Sequence, residues 1–430
     1  MTDPIRSDLP GKHQPWELYL LSGIAVSERA ASAAMLSLLP LYLSQHLGFS
    51  DGTSVLIAGV FAGLAYLASL LGGHLGDGPL GLFRTLRFGI LALTFGAAAM
   101  ALDRAALLWG SLALRIFGHG LFKPCLTTLV GKLYGAHDTR RDGGFAVFYF
   151  AINIGFLIGP LVGEWSRARF SWRAVFVAAA VLMLPSLVLA VAGSRHIECS
   201  ARYIVDPNHT ASPRNQPERI RAAASLCVLA VLSWFAMQQT SGVLVLFAEH
   251  STRLHLALWR WELTLRPGYF TALHSGLVLA VLPLMMRRSR RQRALGEKSA
   301  TVIKLVLGLI CLAAAFALMG LAGLCGGDAG RVSPLWLVGC YILITPGEIW
   351  LSAMGLSLMT QLAPSRIASR LIGLWLAAVA VGSALAGMFG LLWSRWSHHR
   401  YFAVVALCCL LGACVLLARL RRIEAVLAYR

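Results

Sequence analysis

Acidic side chains are scarce in this chain. Asp and Glu number 19 against 38 Lys and Arg, and the four types together make up only 13% of 430 residues, where a soluble domain carries about a quarter. A surface that faces water all round is thereby excluded. Paired cysteine spacing is missing too: nine cysteines form no CxxC and no metal-ligand pattern. Most of them, such as Cys125, Cys227, Cys311 and Cys340, fall in apolar stretches. They are expected to be small packing residues, with no disulfide framework. The chain also lacks a nucleophile motif, a metal-ligand spacing on a helix and an appended polar domain, which leaves a membrane enzyme or receptor little support.

What is abundant is apolar surface, with 57% hydrophobic residues. A helix of about 20 apolar residues crosses the roughly 30 Å hydrocarbon layer. The pattern predicts such helices over 17–43, 54–75, 84–102, 106–134, 144–165 and 172–193, and again over 221–247, 267–286, 301–324, 333–361, 368–393 and 401–419. The expected fold class is all-α, integral to a membrane, with twelve spans in two sets of six. The loop before the eighth span, with Trp259, Arg260, Trp261, Glu262 and Arg266, is expected at the interface. A cleaved signal peptide is a poor reading of the first span, because Glu28 and Arg29 interrupt it and its apolar run continues past any cleavage site.

The formal charge of +19 would suit nucleic acid only if the basic residues gathered on one solvated surface. They sort instead by loop. Most lie in the segments that share a side with both termini, including the run Arg287, Arg288, Arg290, Arg291 and Arg293. That places both termini in the cytoplasm by the positive-inside rule, and no nucleic-acid partner is expected. The run from Arg287 is an orientation signal with some affinity for anionic lipid. The most polar stretch, with Pro207, Pro213 and Pro217, divides the chain into a six-helix bundle at 1–195, a cytoplasmic linker at 196–220 and a second bundle at 221–430.

A charge near the middle of a span costs roughly 2.5–3.5 kcal/mol and needs a partner or a wet cavity. Four places stand out. Glu28 and Arg29 are adjacent in the first span, either lining a cavity or pinning helices by a local ion pair. Lys123 sits beside Pro124 in the fourth span, too far from both ends to snorkel easily. Glu348 follows Pro346 and Gly347 in the tenth. Arg115, nearer one end of its span, is expected to snorkel or to close an ion pair. One half thus offers cations and the other a carboxylate, a polarity that a zwitterion would match.

Four sequence blocks carry a family resemblance. They are SERAASAAMLSLLPLYLSQHLGFS, AYLASLLGGHLGDGPLGLFRTL, GLFKPCLTTLVGKLY with FYFAINIGFLIGPLVGE, and ITPGEIWLSAMGLSLMTQLAP with RLIGLWLAAVAVGSALAG. In order and spacing they resemble the proton-dependent oligopeptide transporter family of the major facilitator superfamily. The resemblance implies a six-plus-six bundle with substrate near the midplane between halves. It places Arg29 and Lys123 at a peptide carboxylate and Glu348 at the peptide ammonium. It also puts Asn153, Tyr66, Gln238 and Ser352 at the pocket, although interhelical hydrogen bonding would account for Asn153 and interfacial packing for Tyr66. Glu28, Arg29 and Lys123 become the proton-coupling group, with Glu28 paired to Lys123, and Gly73, Asp77 and Arg84 match the superfamily's loop pattern.

The departures are specific. The first glutamate of the family's ExxER is Ala25, the aromatic pair after it is Ser32 and Ala33, a titratable glutamate of the seventh span is Gln238, and the eighth-span asparagine is His274. An amide releases no proton, so Glu28, Glu348 and His274 remain as titratable groups. A lone membrane histidine also serves as an ordinary packing hydrogen-bonder. The leading expectation is proton-driven symport of di- or tripeptides or similar zwitterions by a monomer in a bacterial-type inner membrane, with protons as the coupling ion and no cofactor. The alternative keeps the fold and moves a non-peptide cargo, a peptide-like natural product, an organic anion or a drug, with altered or absent proton coupling.

Overall fold

The computed structural model describes residues 13–78, 80–134, 138, 140–193, 216–258, 261–294, 301–328, 330–362 and 368–428. Twelve helices among them are long and apolar enough to span a bilayer. They are α1 (Trp16–Leu36), α2 (Asp51–Asp77), α3 (Leu82–Ala101), α4 (Leu108–Gly131), α5 (Arg141–Arg169) and α6 (Trp172–Ala192). The second set is α7 (Gln216–Met237), α8 (Pro267–Ala294), α9 (Thr301–Gly326), α10 (Leu335–Leu362), α11 (Ala368–Gly390) and α12 (His398–Ala428). Residues 196–215 of the expected linker lie outside the described residues.

Local chemistry sets the boundaries. The Ser50 hydroxyl accepts the Thr53 N–H at 3.2 Å and caps α2, and Ser171 caps α6 in the same way. Pro40 interrupts the first span, which ends in a π-helical turn, Tyr42–His46, beyond the expected stop. The seventh span is also broken. A 3₁₀ turn, Gln238–Ser241, separates α7 from its continuation Val243–Ser251, so Gln238 stands on an irregular turn. The loop after it is a short hairpin of β1 (His255–Leu258) and β2 (Trp261–Thr264), antiparallel with Ala257 opposite Glu262. Trp259 and Arg260 lie outside the described residues.

In the first half α1 packs on α5 and α6, and α4 on α2 and α3; in the second, α9 packs on α10 and α12, and α11 on α7. The halves meet along two seams, α2 against α11 and α5 against α8. Exposed side chains such as Phe95, Val188 and Leu321 cover the outside, the surface that lipid requires. Without a hydrophobic drive between helices in lipid, close packing depends on small residues. A Cβ at Gly59 would sit 2.5 Å from the Gly387 Cα, and one at Gly63 would sit 2.8 Å from the Ala380 carbonyl oxygen.

At the end of the bundle that carries the hairpin, polar bridges join the halves. Arg167 lies 3.5 Å from Glu249, Gln45 donates to Glu249 at 3.0 Å, and the fully buried Glu164 accepts the Gly268 N–H at 2.8 Å. Gly59→Val should force α2 away from α11 and cost about 1–3 kcal/mol. The measurement is the thermal unfolding midpoint in detergent; a midpoint equal to wild type would show that the two helices are not this close.

Candidate functional site

The site is assembled from small residues outward. Gly155, Gly159 and Gly163 recur every fourth residue on α5 and face α1; a Cβ on the first would meet Arg29 Cβ at 2.5 Å, and on the second the Ala30 carbonyl at 2.4 Å. This close approach carries residues 28 and 29 into the middle of the half. Gly120 does the same for α4, lying against Gly72 and Ala68 of α2.

Glu28 is fully buried. Arg29 curls back and donates to one carboxylate oxygen, while the other accepts the Ser32 hydroxyl at 2.8 Å and lies 3.3 Å from His119 Nδ1. Arg115 is buried as well and neither snorkels nor meets a carboxylate directly. It donates to Ser32 Oγ at 3.3 Å and to the Leu93 carbonyl at 3.5 Å, so Ser32 links it to Glu28. Arg115, His119 and Lys123 are spaced four apart and share one face of α4. The expected Glu28–Lys123 ion pair is not formed. Lys123 Nζ instead lies 4.3 Å from the centroid of the Tyr66 ring, a favourable place for a cation over a π face. Arg29, adjacent to Glu28 in sequence, has taken the carboxylate, and its guanidinium lies within 6 Å of the Phe122 and Phe156 rings.

The second half supplies the opposite charge. Glu348 on α10 lies 2.9 Å from His274 Nε2 on α8, and the imidazole is tilted over Tyr341. Tyr66 spans the gap between halves: its hydroxyl accepts from Trp234 Nε1 at 3.4 Å, and it lies within electrostatic reach of both Arg29 and Glu348. Trp234 packs edge-on to Trp375. A polar cleft with a cationic wall, an anionic wall and an aromatic floor results.

The other expected residues are less engaged. Asn153 is buried and gives its amide to the Tyr149 carbonyl of its own helix at 2.9 Å, which is neither an interhelical bond nor a free pocket group. Gln238 is half-buried, and its side-chain amide has no hydrogen-bond partner among the described residues. Ser352 is half-buried one turn beyond Glu348. Gly73, Asp77 and Arg84 lie at the end of the bundle opposite the hairpin; a Cβ on Gly73 would meet open space, and Asp77 and Arg84 are exposed. They belong to the α2–α3 connection and are not gathered with the cleft. Sequence reasoning missed Ser32, His119 and Glu164 as functional neighbours. The four-residue spacing of Arg115, His119 and Lys123 was the available signal for His119.

The POT family profile matches residues 85–202 and 198–398. The chain is 28% identical to the peptide transporter YePEPT of Yersinia enterocolitica, over 86% of this chain and 87% of that one. It is also 28% identical to an uncharacterized transporter, YclF, of Bacillus subtilis, over 84% and 83%. Its fold matches the crystal structure of a peptide transporter POT in complex with sulfate, with a TM-score of 0.87, 24% identity and coverage of 97% and 96% of the two chains.

Removing one partner of a buried charge group strands the others. Glu28→Gln should therefore destabilise the protein by about 3–5 kcal/mol, whereas Arg115→Met, which leaves Glu28 paired with Arg29, should cost less. Thermal unfolding of both variants in one detergent checks the order; equal losses would show that Glu28 does not hold the charge balance.

Proposed function

Because the chain belongs to the POT family, we propose that it is a proton-coupled importer of di- or tripeptides or similar zwitterions, working by alternating access. It is a multi-pass inner-membrane protein with twelve spanning helices among its described residues. The observation that carries the reading is the division of charge across the cleft, with Arg29 and Lys123 on one half and Glu348 on the other, Tyr66 being within reach of both signs. A zwitterionic peptide spans such a cleft. Its carboxylate meets Arg29 and Lys123 through charge-assisted hydrogen bonds, and its ammonium takes the place of His274 at Glu348. The names of the relatives support the cargo: one is a peptide transporter, and another is a di-/tripeptide transporter of Lactococcus lactis.

Rocking of the halves about the α2–α11 and α5–α8 seams exposes the cleft to each side in turn. The hairpin face is held shut by Arg167, Gln45, Glu249 and the Glu164–Gly268 bond. With both termini in the cytoplasm, as the basic loops indicate, that closed face is the outer one. Protons are the coupling ion, the transporter works as a monomer, and no cofactor takes part.

Proteoliposomes with an inward proton gradient should accumulate labelled dialanine, and an uncoupler should abolish the accumulation. Glu348→Gln and Lys123→Ala should each weaken dialanine binding at least tenfold while inserting normally. Absent uptake would remove this reading in favour of a non-peptide cargo, uncoupler-insensitive uptake would remove the proton coupling, and retained affinity in both variants would reassign the two charges.

A further inference from the structure

His119 occupies an unusual place. It is 2% exposed, its Nδ1 lies 3.3 Å from Glu28 Oε1, and its buried Nε2 has no hydrogen-bond partner among the described residues. A buried ring nitrogen with no partner calls for an explanation beyond packing. Its ring meets Phe61 of α2 edge-on, and one helical turn separates it from Arg115 on one side and from Lys123 on the other.

We propose that His119 is the coupling proton acceptor of the first half, and that arrival of the substrate carboxylate at Arg29 and Lys123 draws the proton onto it. This rests on the functional reading above and deepens it. With Nδ1–H aimed at Glu28, Nε2 carries the lone pair. A proton from cavity water adds there to give the imidazolium, which stays beside the Glu28 carboxylate; on substrate release the proton returns to water on the other side. No other bond changes.

The charges that face His119 set the sign. From α1 come Glu28 and Arg29, and from its own helix Arg115 and Lys123. From α2 comes Tyr66, under Lys123, with His74 and Asp77 beyond it at the end opposite the hairpin. α3 contributes only Arg84 and Arg87, also at that end. α5 adds Tyr149, near Asn153, and Glu164, engaged at Gly268. Arg29, Arg115 and Lys123 therefore set a cationic field against the one carboxylate, and that field opposes an added proton on the imidazole. A substrate carboxylate on Arg29 and Lys123 cancels part of that field and makes the added proton acceptable. Linkage is reciprocal, so the proton raises the affinity for the carboxylate by the same factor. The sign is that of symport. Histidine changes charge between pH 5 and 8, which suits a proton gradient, and the group stands in the half that has Ala25 where the family resemblance expects an acid.

The test uses the purified full-length protein and dialanine, with calorimetry at each pH from 5.5 to 8 in two buffers of different ionisation heat. Wild type should take up close to one proton per dialanine at its maximum, with Kd tightening toward tenfold per pH unit as pH falls. His119→Asn and His119→Gln should bind without that uptake, their Kd flat across the range. Variants that take up as many protons as wild type overturn the proposal. Wild type that binds dialanine with no proton uptake overturns it as well, and decides the matter even where neither variant folds. Wild type that binds no dialanine at any pH overturns the functional reading together with it, a result distinct from binding without uptake.

Discussion

The Glu28 carboxylate is the constraint on which the first half depends. It is fully buried and faces Arg29 directly, His119 at 3.3 Å and Arg115 through Ser32. In a medium of low dielectric a charge left without its partner is far more costly than the pair. α1 and α4 therefore cannot move apart without stranding an arginine. Since Arg29 and Arg115 share one carboxylate and Lys123 lies on the Tyr66 ring, part of their charge stays uncompensated, and that surplus on Arg29 and Lys123 is what makes the wall of the cleft attractive to an anion.

The glycine contacts make this arrangement possible and limit how it can move. Within the first half, Gly155, Gly159 and Gly163 seat α1 on α5, and Gly120 seats α4 on α2, so that half behaves as one packed body. Between the halves, Gly59 and Gly387 bring α2 and α11 into backbone contact. A seam made of small residues has few interdigitated side chains to unlock, which suits rocking about it better than separation. The bridges that do cross, Arg167 with Glu249 and Tyr66 with Trp234, sit at two different depths. Opening the hairpin face breaks the first kind and leaves the second near the pivot.

The twelve spans were legible because length and hydropathy in lipid leave little choice of structure. Glu28, Arg29, Lys123 and Glu348 were legible because a charge in a span is too costly to be incidental. The pairing was legible only as one of two readings. The family resemblance set Lys123 against Glu28, while the local Glu28–Arg29 ion pair was the alternative that the structure shows. Neighbours in sequence point about 100 degrees apart, yet the long arginine side chain folds back and closes the pair locally. The histidines were undervalued for the opposite reason: a neutral imidazole is cheap to bury, so neither His119 nor His274 announces a partner. The 3₁₀ turn coincides with a polar break in the apolar run, Gln238 to Gly242, which the single expected span over 221–247 passed across.

The two walls of the cleft are opposite in charge but unequal in satisfaction. Glu348 already has the His274 imidazole at 2.9 Å, so an incoming ammonium must replace an existing contact. Among the described residues Lys123 has only the Tyr66 ring, and Arg29 shares one carboxylate with two other basic groups. On the proposed reading the carboxylate of a zwitterion therefore gains more from the empty site than the ammonium does, and it engages first. The ammonium end then competes with His274 from a tethered position, at the high effective concentration that tethering supplies. Completion of the second contact joins cationic and anionic walls through the substrate, which draws the halves together. A cargo lacking the ammonium would stop after the first step, and one lacking the carboxylate would have no foothold from which to displace the imidazole. The preference for a molecule with both charges follows from the unequal partners of Lys123 and Glu348 more than from the shape of the cleft.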